Sequence, residues 1–136
     1  MTAGEPHSGV VLRPARAADA ETLRGWRNDP TAVRFSASAR PVSEAEHSHW
    51  MLARLADPHT RMWVAEEAGM SVGQVRVELD GGSGVVSIAV DTRARGRRVG
   101  SAILAAMIDQ MTQEGGISRL TALVHAENLA SLRSFE

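Results

Sequence analysis

The strongest constraint on the fold is a change in hydrophobic periodicity near the middle of the chain. Residues 62–66, 71–79 and 85–90 are short stretches rich in Val, and turn sequences lie between them. Their pattern predicts an antiparallel meander of three strands, with one irregularity near Gly73. Residues 97–114 then repeat apolar side chains at the 3.6-residue spacing of a helix. A meander followed by a helix and a further strand is typical of an α+β fold.

The remaining elements complete a single domain around this meander. The predicted set comprises a strand at 10–13, a helix capped by Asp19, a helix from the capping box at 43–46 to about residue 56, a strand at 117–125 and a last helix at 129–136. This order predicts a mixed, mostly antiparallel sheet flanked by helices in three layers. Residues 1–9 are expected to form a disordered tail, and residues 10–136 one domain.

The composition excludes several kinds of chemistry. All fifteen basic residues are Arg, and the chain has no Lys, Cys or Tyr. The missing Cys excludes a disulfide scaffold, a thiol nucleophile and Cys-based zinc sites, and the missing Lys excludes Schiff-base chemistry. His47 and His49 are two apart on a predicted helix and point to different sides, so no metal site is expected.

The charge and the hydropathy pattern indicate where such a chain functions. A formal net charge of −1 argues against general nucleic-acid binding. No apolar run reaches the roughly 18 residues of a membrane span. The first nine residues carry no targeting signal. A cytoplasmic protein with no nucleic-acid or membrane partner is therefore expected.

One loop carries the clearest chemical signal. Residues 91–104 lead from a strand end through an Arg- and Gly-rich loop into the helix at 97–114. The unpaired N–H groups of a helix's first turn, together with the helix dipole, favour an anion there. Gly96 and Gly100 let a phosphate approach the backbone, and three Arg residues add positive charge. Because the donors are many, a diphosphate fits better than a carboxylate; the alternative is a solvated basic turn.

The same loop resembles a known signature. Residues 95–102, RGRRVGSA, resemble the acetyl-CoA signature of the GNAT superfamily of N-acetyltransferases: Arg or Gln, two variable residues, Gly, one variable residue, then Gly or Ala. Arg95 and Gly100 match its ends, and Arg98 stands where the inner Gly is usual. The resemblance covers residues 10–136 with the same order of elements. It implies a GNAT-like sheet whose fourth and fifth strands splay apart to admit the cofactor.

The resemblance implies acetyl-CoA as co-substrate, with its diphosphate on the loop and its pantetheine arm along strand four. The residues so assigned are Arg95, Gly96, Arg97, Arg98, Val99, Gly100 and Ser101 in the loop, Ile88, Ala89 and Val90 in the strand, and Asn128 and Ser131 in the last helix. The acceptor amine would attack the thioester directly in a ternary complex. The Val90 amide would then stabilise the oxyanion.

Two residues are candidates for taking the acceptor's proton, Glu78 at the end of strand three and His125 at the end of strand five. In the superfamily a Tyr often protonates the leaving thiolate, and Phe135 occupies that position here. Three alternatives follow: water protonates the thiolate, the thiolate leaves without an acid, or the domain binds acetyl-CoA without turnover. Compared with the family, the chain is expected to be short by a closing C-terminal hairpin, so strand five would be an exposed edge unless a partner, such as a second copy, or a missing segment covers it.

The acceptor is expected to bind among residues of the first half of the chain: Trp26, Arg27, Asn28, His47 and Trp50. This pattern is similar to acetyltransferases that act on nucleotide-linked amino sugars, and part of it to ribosomal-protein alanine N-acetyltransferases. Trp faces stack on sugar or base rings, and Arg binds diphosphate. The resemblance therefore implies a primary amine on a small molecule, with a protein N-terminal amine as the alternative. Both Trp residues are also compatible with a place in the core.

Overall fold

A computed structural model describes residues 9–29, 40–94 and 98–122. Within these ranges a five-stranded sheet runs in the order of the sequence. Its strands are β1 (Val10–Pro14), β2 (Thr60–Glu67), β3 (Met70–Asp80), β4 (Ser83–Val90) and β5 (Arg119–Ala122). Neighbouring strands are antiparallel from β1 to β4, and β5 is parallel to β4. The predicted mixed, mostly antiparallel sheet is therefore confirmed.

Three described α-helices flank the sheet: α1 (Ala20–Arg27), α2 (Glu44–Ala56) and α3 (Val99–Glu114). The capping box that begins α2 forms as predicted, because the Ser43 hydroxyl accepts from the Glu46 N–H and the Glu46 carboxylate accepts from the Ser43 N–H. Helix α3 starts at Val99, two residues later than predicted, because the backbone of Arg98 is left-handed. Gly115, with a φ of 80°, follows the last helical residue of α3, as the Gly pair in the sequence predicts.

Strand β2 shows that the sheet is the middle layer of the fold, because its side chains are buried on both faces. Met62 and Val64 pack with the core residues of α1 and α2, whereas Trp63 and Ala65 pack with those of α3. Alternate residues of a strand point to opposite faces of the sheet. The uninterrupted apolar run in β2 therefore specifies three layers, with α1 and α2 on one side and α3 on the other.

A bulge in β3 lies where the sequence indicates an irregularity. Ala65 pairs with Gly73 and the next residue, Glu66, pairs with Ser71, so β3 holds one residue more than β2 at this point. A Cβ at Gly73 would lie 2.7 Å from the Ala89 carbonyl oxygen and 2.6 Å from Ile103 Cδ1. Only glycine fits that space. The bulge thus lets the end of β4 and helix α3 approach β3 closely.

The last strand is described only in part. Its pairing with β4 runs from Ser83 with Arg119 to Val86 with Ala122. Strand β5 begins at Arg119 rather than at the predicted residue 117. Its predicted end, the predicted helix at 129–136 and the position of a splay beyond Ala122 lie outside the described residues.

Asp19 precedes α1 as predicted, but its carboxylate does not cap that helix. Its oxygens accept from the Arg16 N–H at 2.9 Å and from two nitrogens of Arg13 at 2.9 and 2.7 Å. Asp19 is buried, and Arg13 lies on β1. The carboxylate therefore joins the first strand to the turn that leads into α1, because a charged donor across the chain binds it more strongly than the free amides of the helix do.

The Asp19→Asn variant is expected to lose about 2 kcal/mol of stability at neutral pH, because it loses charged hydrogen bonds in a buried position. The Arg13 guanidinium holds the pKa of Asp19 below its ordinary value of 3.8. Such a carboxylate stabilises the folded chain above the unfolded pKa, and this stability is lost as the pH falls through the folded pKa. Urea denaturation should therefore give a difference between wild type and variant that shrinks below pH 3.8. A pH-independent difference, or an equal loss in Glu21→Gln, which breaks the pair with Arg24, would contradict this assignment.

Candidate active site

The N-terminus of α3 is the first part of the site. The first hydrogen bond in the helix is donated by the Ala102 N–H to the Arg98 carbonyl at 3.1 Å. The amides of Val99, Gly100 and Ser101 therefore have no acceptor within the helix, and the Arg98 side chain does not cap them. Gly100 is buried in this turn without a side chain to cover the amides. These features fit a diphosphate. Its oxygens would accept hydrogen bonds from the first-turn N–H groups, and its negative charge would lie at the positive end of the helix dipole.

Arg98 carries a constraint that the sequence alone does not reveal. Its φ of 62° and ψ of 22° lie in the left-handed region. This conformation costs an L-residue roughly 1–2 kcal/mol, and glycine adopts it freely. Arg98, which replaces the inner Gly of the signature, therefore has a strained backbone. Its left-handed conformation directs the chain from the loop into α3.

The Arg98→Gly variant is expected to be more stable than the wild type by about 1 kcal/mol, because glycine removes the crowding of Cβ against the following carbonyl. The matched control is Arg98→Ala, which removes the guanidinium but retains the Cβ. Urea denaturation should show a gain for Gly and none for Ala. Equal gains in the two variants would show that charge rather than backbone strain is relieved.

A cavity of about 430 Å³ forms the second part of the site, between the sheet and the helices α1 and α2. The described residues that line it from the helical side are Leu23, Arg27, Val42, Glu46, His47 and Trp50. From the sheet side it is lined by Gln74, Arg76 and Ala89. Gln74 pairs with Ala89 across β3 and β4, and Arg76 pairs with Ser87. The cavity therefore reaches the end of β4, the strand whose continuation leads into the loop before α3.

Arg27, His47 and Trp50, three of the predicted acceptor residues, line this cavity. The rings of His47 and Trp50 pack with centroids 5.5 Å apart and planes tilted by 40°. Burial lowers the pKa of His47, and the charges of Arg24 and Arg27 lower it further. Among the described residues, Nδ1 of His47 is buried without a hydrogen-bond partner. The structure thus brings a neutral imidazole and an indole face together in the cavity.

Trp26 and Asn28 are placed differently. Trp26 is buried in the core with Leu23 and Met51, and its indole N–H donates to Asp91 at 2.8 Å. The Asn28 side chain donates to the Val42 carbonyl at 2.9 Å and accepts from the Val42 N–H at 2.7 Å. Neither is among the described residues that line the cavity. Both instead fix its surroundings: Trp26 holds the end of β4, and Asn28 holds a residue of the cavity wall.

Glu78 lies on β3, two residues beyond Arg76 and on the same face. Its Oε2 is 2.9 Å from Arg76 Nε and 3.9 Å from Arg54 Nε, and its side chain is 40% exposed. It borders the cavity through Arg76 without lining it. Val90 ends β4 and pairs with Gly73, next to Ala89 of the cavity wall. The roles predicted for the Glu78 carboxylate and the Val90 amide stay predictions.

Arg76, Gln74 and Glu46 were missed as candidate residues in the sequence. The alternation of β3 contains the signal for two of them, because Gln74 and Arg76 share the face opposite to Val75 and Val77. Which polar face meets a cavity depends on the packing of α2, and the sequence pattern does not specify that packing. Glu46 was predicted to form the capping box, which it does, and was not among the residues named for the acceptor.

Several predicted residues lie outside the described part of the chain. They are Arg95, Gly96 and Arg97 in the loop, and His125, Asn128, Ser131 and Phe135 near the C-terminus. Among the described residues no group of His, Asp or Glu side chains is arranged to hold a metal ion. None of the described helices combines the length and hydropathy needed to span a bilayer.

The sequence of residues 10–136 matches the acetyltransferase (GNAT) domain family. The chain belongs to this family. The prediction from RGRRVGSA and from the order of the elements is thereby confirmed, and with it the prediction of an acyltransferase. No curated protein matches the chain in sequence.

Solved GNAT enzymes share the fold over nearly the whole GNAT domain. Spermidine N-acetyltransferase from Vibrio cholerae, in complex with CoA and spermine, superposes with a TM-score of 0.83 at 17% identity over 94% of this chain and 78% of that chain. The aminoglycoside acetyltransferase AAC(6′)-Ib, with ribostamycin and coenzyme A, gives 0.81 at 17% identity over 93% and 80%. The Salmonella typhimurium acetyltransferase that modifies the N-terminal serine of ribosomal protein L7/L12 gives 0.80 at 14% identity over 96% and 79%. At these identities the likeness establishes the fold.

Proposed function

We propose that this GNAT domain transfers an acetyl group from acetyl-CoA to the primary amine of a small molecule, such as a nucleotide-linked amino sugar. The observation that carries the proposal is the position of the cavity. It is lined by Ala89 on β4, and the chain that leaves β4 leads to the first-turn amides of α3. A cofactor held by that turn and an acceptor held in the cavity would thus meet at one strand end. Spermidine, aminoglycoside and ribosomal-protein acetyltransferases with this fold support the reaction class.

The residues of this chain have separable tasks in the proposed reaction. Bound acetyl-CoA supplies an activated acetyl group as a thioester. The amides of Val99, Gly100 and Ser101 hold its diphosphate, with Arg95, Gly96, Arg97 and Arg98 beside it, while Ile88, Ala89 and Val90 flank the pantetheine arm. Asn128 and Ser131 are further proposed contacts. The cavity orients the acceptor nitrogen toward the carbonyl carbon, and this positioning supplies most of the rate.

Charge develops at two points as the amine attacks. The Val90 N–H is proposed to donate to the carbonyl oxygen as it becomes negative. The acceptor nitrogen must lose a proton, and Glu78 and His125 remain the proposed acceptors, directly or through water. The C–S bond then breaks, and CoA leaves as a thiolate. With no Tyr in the chain, water protonates that thiolate in this scheme.

A thiol-release assay over a panel of amines tests the proposal. The panel contains amino sugar phosphates, free amino sugars, polyamines and short peptides with a free N-terminus, each with acetyl-CoA. We expect saturable thiol release with a small-molecule amine. Release with peptides alone would replace the acceptor class by a protein N-terminal amine. Tight acetyl-CoA binding without release for any amine would instead indicate an acyl-CoA-binding module.

A further inference from the structure

Arg76 is a charged residue of the cavity that the proposed chemistry leaves without a task. It projects from the middle of β3, and its side chain is only 22% exposed. Its guanidinium carbon lies 5.0 Å from the centre of the Trp50 ring, and Nη2 donates to the Ser87 hydroxyl at 3.2 Å. A cation over an indole face with a second anchor on β4 has a fixed orientation. The side chain is therefore held in place before any ligand arrives.

The carboxylate beside Arg76 is shared with a second arginine. Glu78 Oε2 lies 2.9 Å from Arg76 Nε and 3.9 Å from Arg54 Nε, and Arg54 is itself 3.7 Å from Asp57. Among the described residues, Nε of Arg76 is buried without a hydrogen bond of good geometry, although it is close to Glu78. Burial lowers the pKa of Arg76, because the guanidinium charge is less stable away from water and holding it there has a free-energy cost. A further anion beside this guanidinium would reduce that cost.

Among the described residues, one carboxylate lines the cavity, and donors already occupy it. The charged lining residues other than Arg76 are Arg27 and Glu46. The Glu46 carboxylate accepts from Arg40 at 3.0 Å and from the Ser43 N–H at 3.0 Å, so two donors already occupy it. His47 contributes no charge at neutral pH because the pKa of its imidazole is lowered. An ammonium group deep in this cavity would meet the Arg76 guanidinium and a carboxylate that is already paired.

We propose that Arg76, stacked on Trp50, selects acceptors that carry an anionic group, a carboxylate or a phosphate, in addition to the amine. This inference rests on the proposed function and narrows its substrate class. The guanidinium fork binds the anion, the Trp50 ring supports the adjoining apolar or sugar portion, and the amine points along β4 toward Ala89. Polyamines and aminoglycosides, the acceptors bound by the solved enzymes of this fold, are poor ligands for this cavity because like charges repel.

Matched pairs of probes test the selection by binding as well as by turnover. With CoA saturating, glucosamine 1-phosphate and glucosamine form one pair, alanine and alaninamide form another, and spermidine is the polycation. Calorimetric titration measures affinity, and thiol release with acetyl-CoA measures kcat/KM. We expect at least tenfold tighter binding of the anionic member in one pair, and the pair that shows it distinguishes phosphate from carboxylate. Spermidine is expected to bind most weakly.

Arg76→Gln removes the charge, Arg76→Lys retains it, and Arg119→Gln on the exposed part of β5 serves as control. Arg76→Gln should abolish the preference for the anionic member by weakening its binding about tenfold more than that of the neutral member, whereas the control should leave the preference unchanged. Lys should restore part of the preference. Equal affinities within both pairs in the wild type, tight spermidine binding, or an equal loss for both members in Arg76→Gln would overturn the inference. Discrimination in binding without thiol release would instead refute the proposed function.

Discussion

Replacing Gly100 with Val is expected to weaken acetyl-CoA binding by roughly 100-fold, or about 2.7 kcal/mol. Gly100 is buried in the first turn of α3, where the amides have no acceptor within the helix. Every Cα–Cβ bond of a helix tilts toward its N-terminus, so a side chain at this position would occupy space that a diphosphate needs. The loss corresponds to one or two charge-assisted hydrogen bonds.

Calorimetric titration with acetyl-CoA measures this effect, and circular dichroism verifies that the variant is folded. Gly100→Ala is the second variant, for use if Val disturbs the helix. Its smaller side chain should give an intermediate affinity. Gly25→Val is the matched control, because a Cβ there, on the exposed face of α1, meets nothing within 4 Å. Unchanged affinity in folded Gly100→Val would show that the cofactor does not lie on this turn.

The second large effect is on stability and concerns the packing of α3 on the sheet. Ile103 of α3 is fully buried and packs in one cluster with Trp63, Val75 and Met107. Ile103→Ala is expected to reduce the free energy of unfolding by about 2–5 kcal/mol, because it removes apolar contacts and leaves a cavity. Urea denaturation gives the value from the shift in midpoint at an unchanged slope.

Ile108→Ala on the same helix is the control. Ile108 is 44% exposed, so its truncation should change stability by less than about 1 kcal/mol. The two variants have the same chemical change and the same helix propensity, and differ only in burial. Equal losses would contradict the packing of α3 on the sheet described above.

The features that the sequence predicted well depend on local pattern. The capping box at Ser43 and Glu46 formed, since its two hydrogen bonds lie within one turn of helix. The bulge near Gly73 was predicted because a slip in the alternation of Val residues is visible along a single strand. The Arg- and Gly-rich loop was recognised for the same reason, since its chemistry is concentrated in eight consecutive residues.

The features that the sequence did not predict depend on partners far along the chain. Asp19 was expected to cap α1, but Arg13 on β1 competes for its carboxylate. Trp26 was left open between the acceptor site and the core, and the residue that accepts its indole N–H in the fold, Asp91, is 65 residues away. Arg76 is on a face that the alternation of β3 predicts, but its contact with Trp50 depends on the position of α2. Local propensity carries no information about such pairs, so a site assembled from several elements is only partly predictable.

In the proposed function, this GNAT domain moves an acetyl group from acetyl-CoA to a small-molecule amine. Incubation with acetyl-CoA that carries a labelled acetyl group, followed by chromatographic separation, follows that group directly. With the amine panel, the label is predicted to appear in an N-acetylated product at a rate proportional to the protein concentration, and this rate should fall with Gly100→Val. Label that stays in acetyl-CoA for every amine, while the wild-type chain binds the cofactor, would contradict the proposed function.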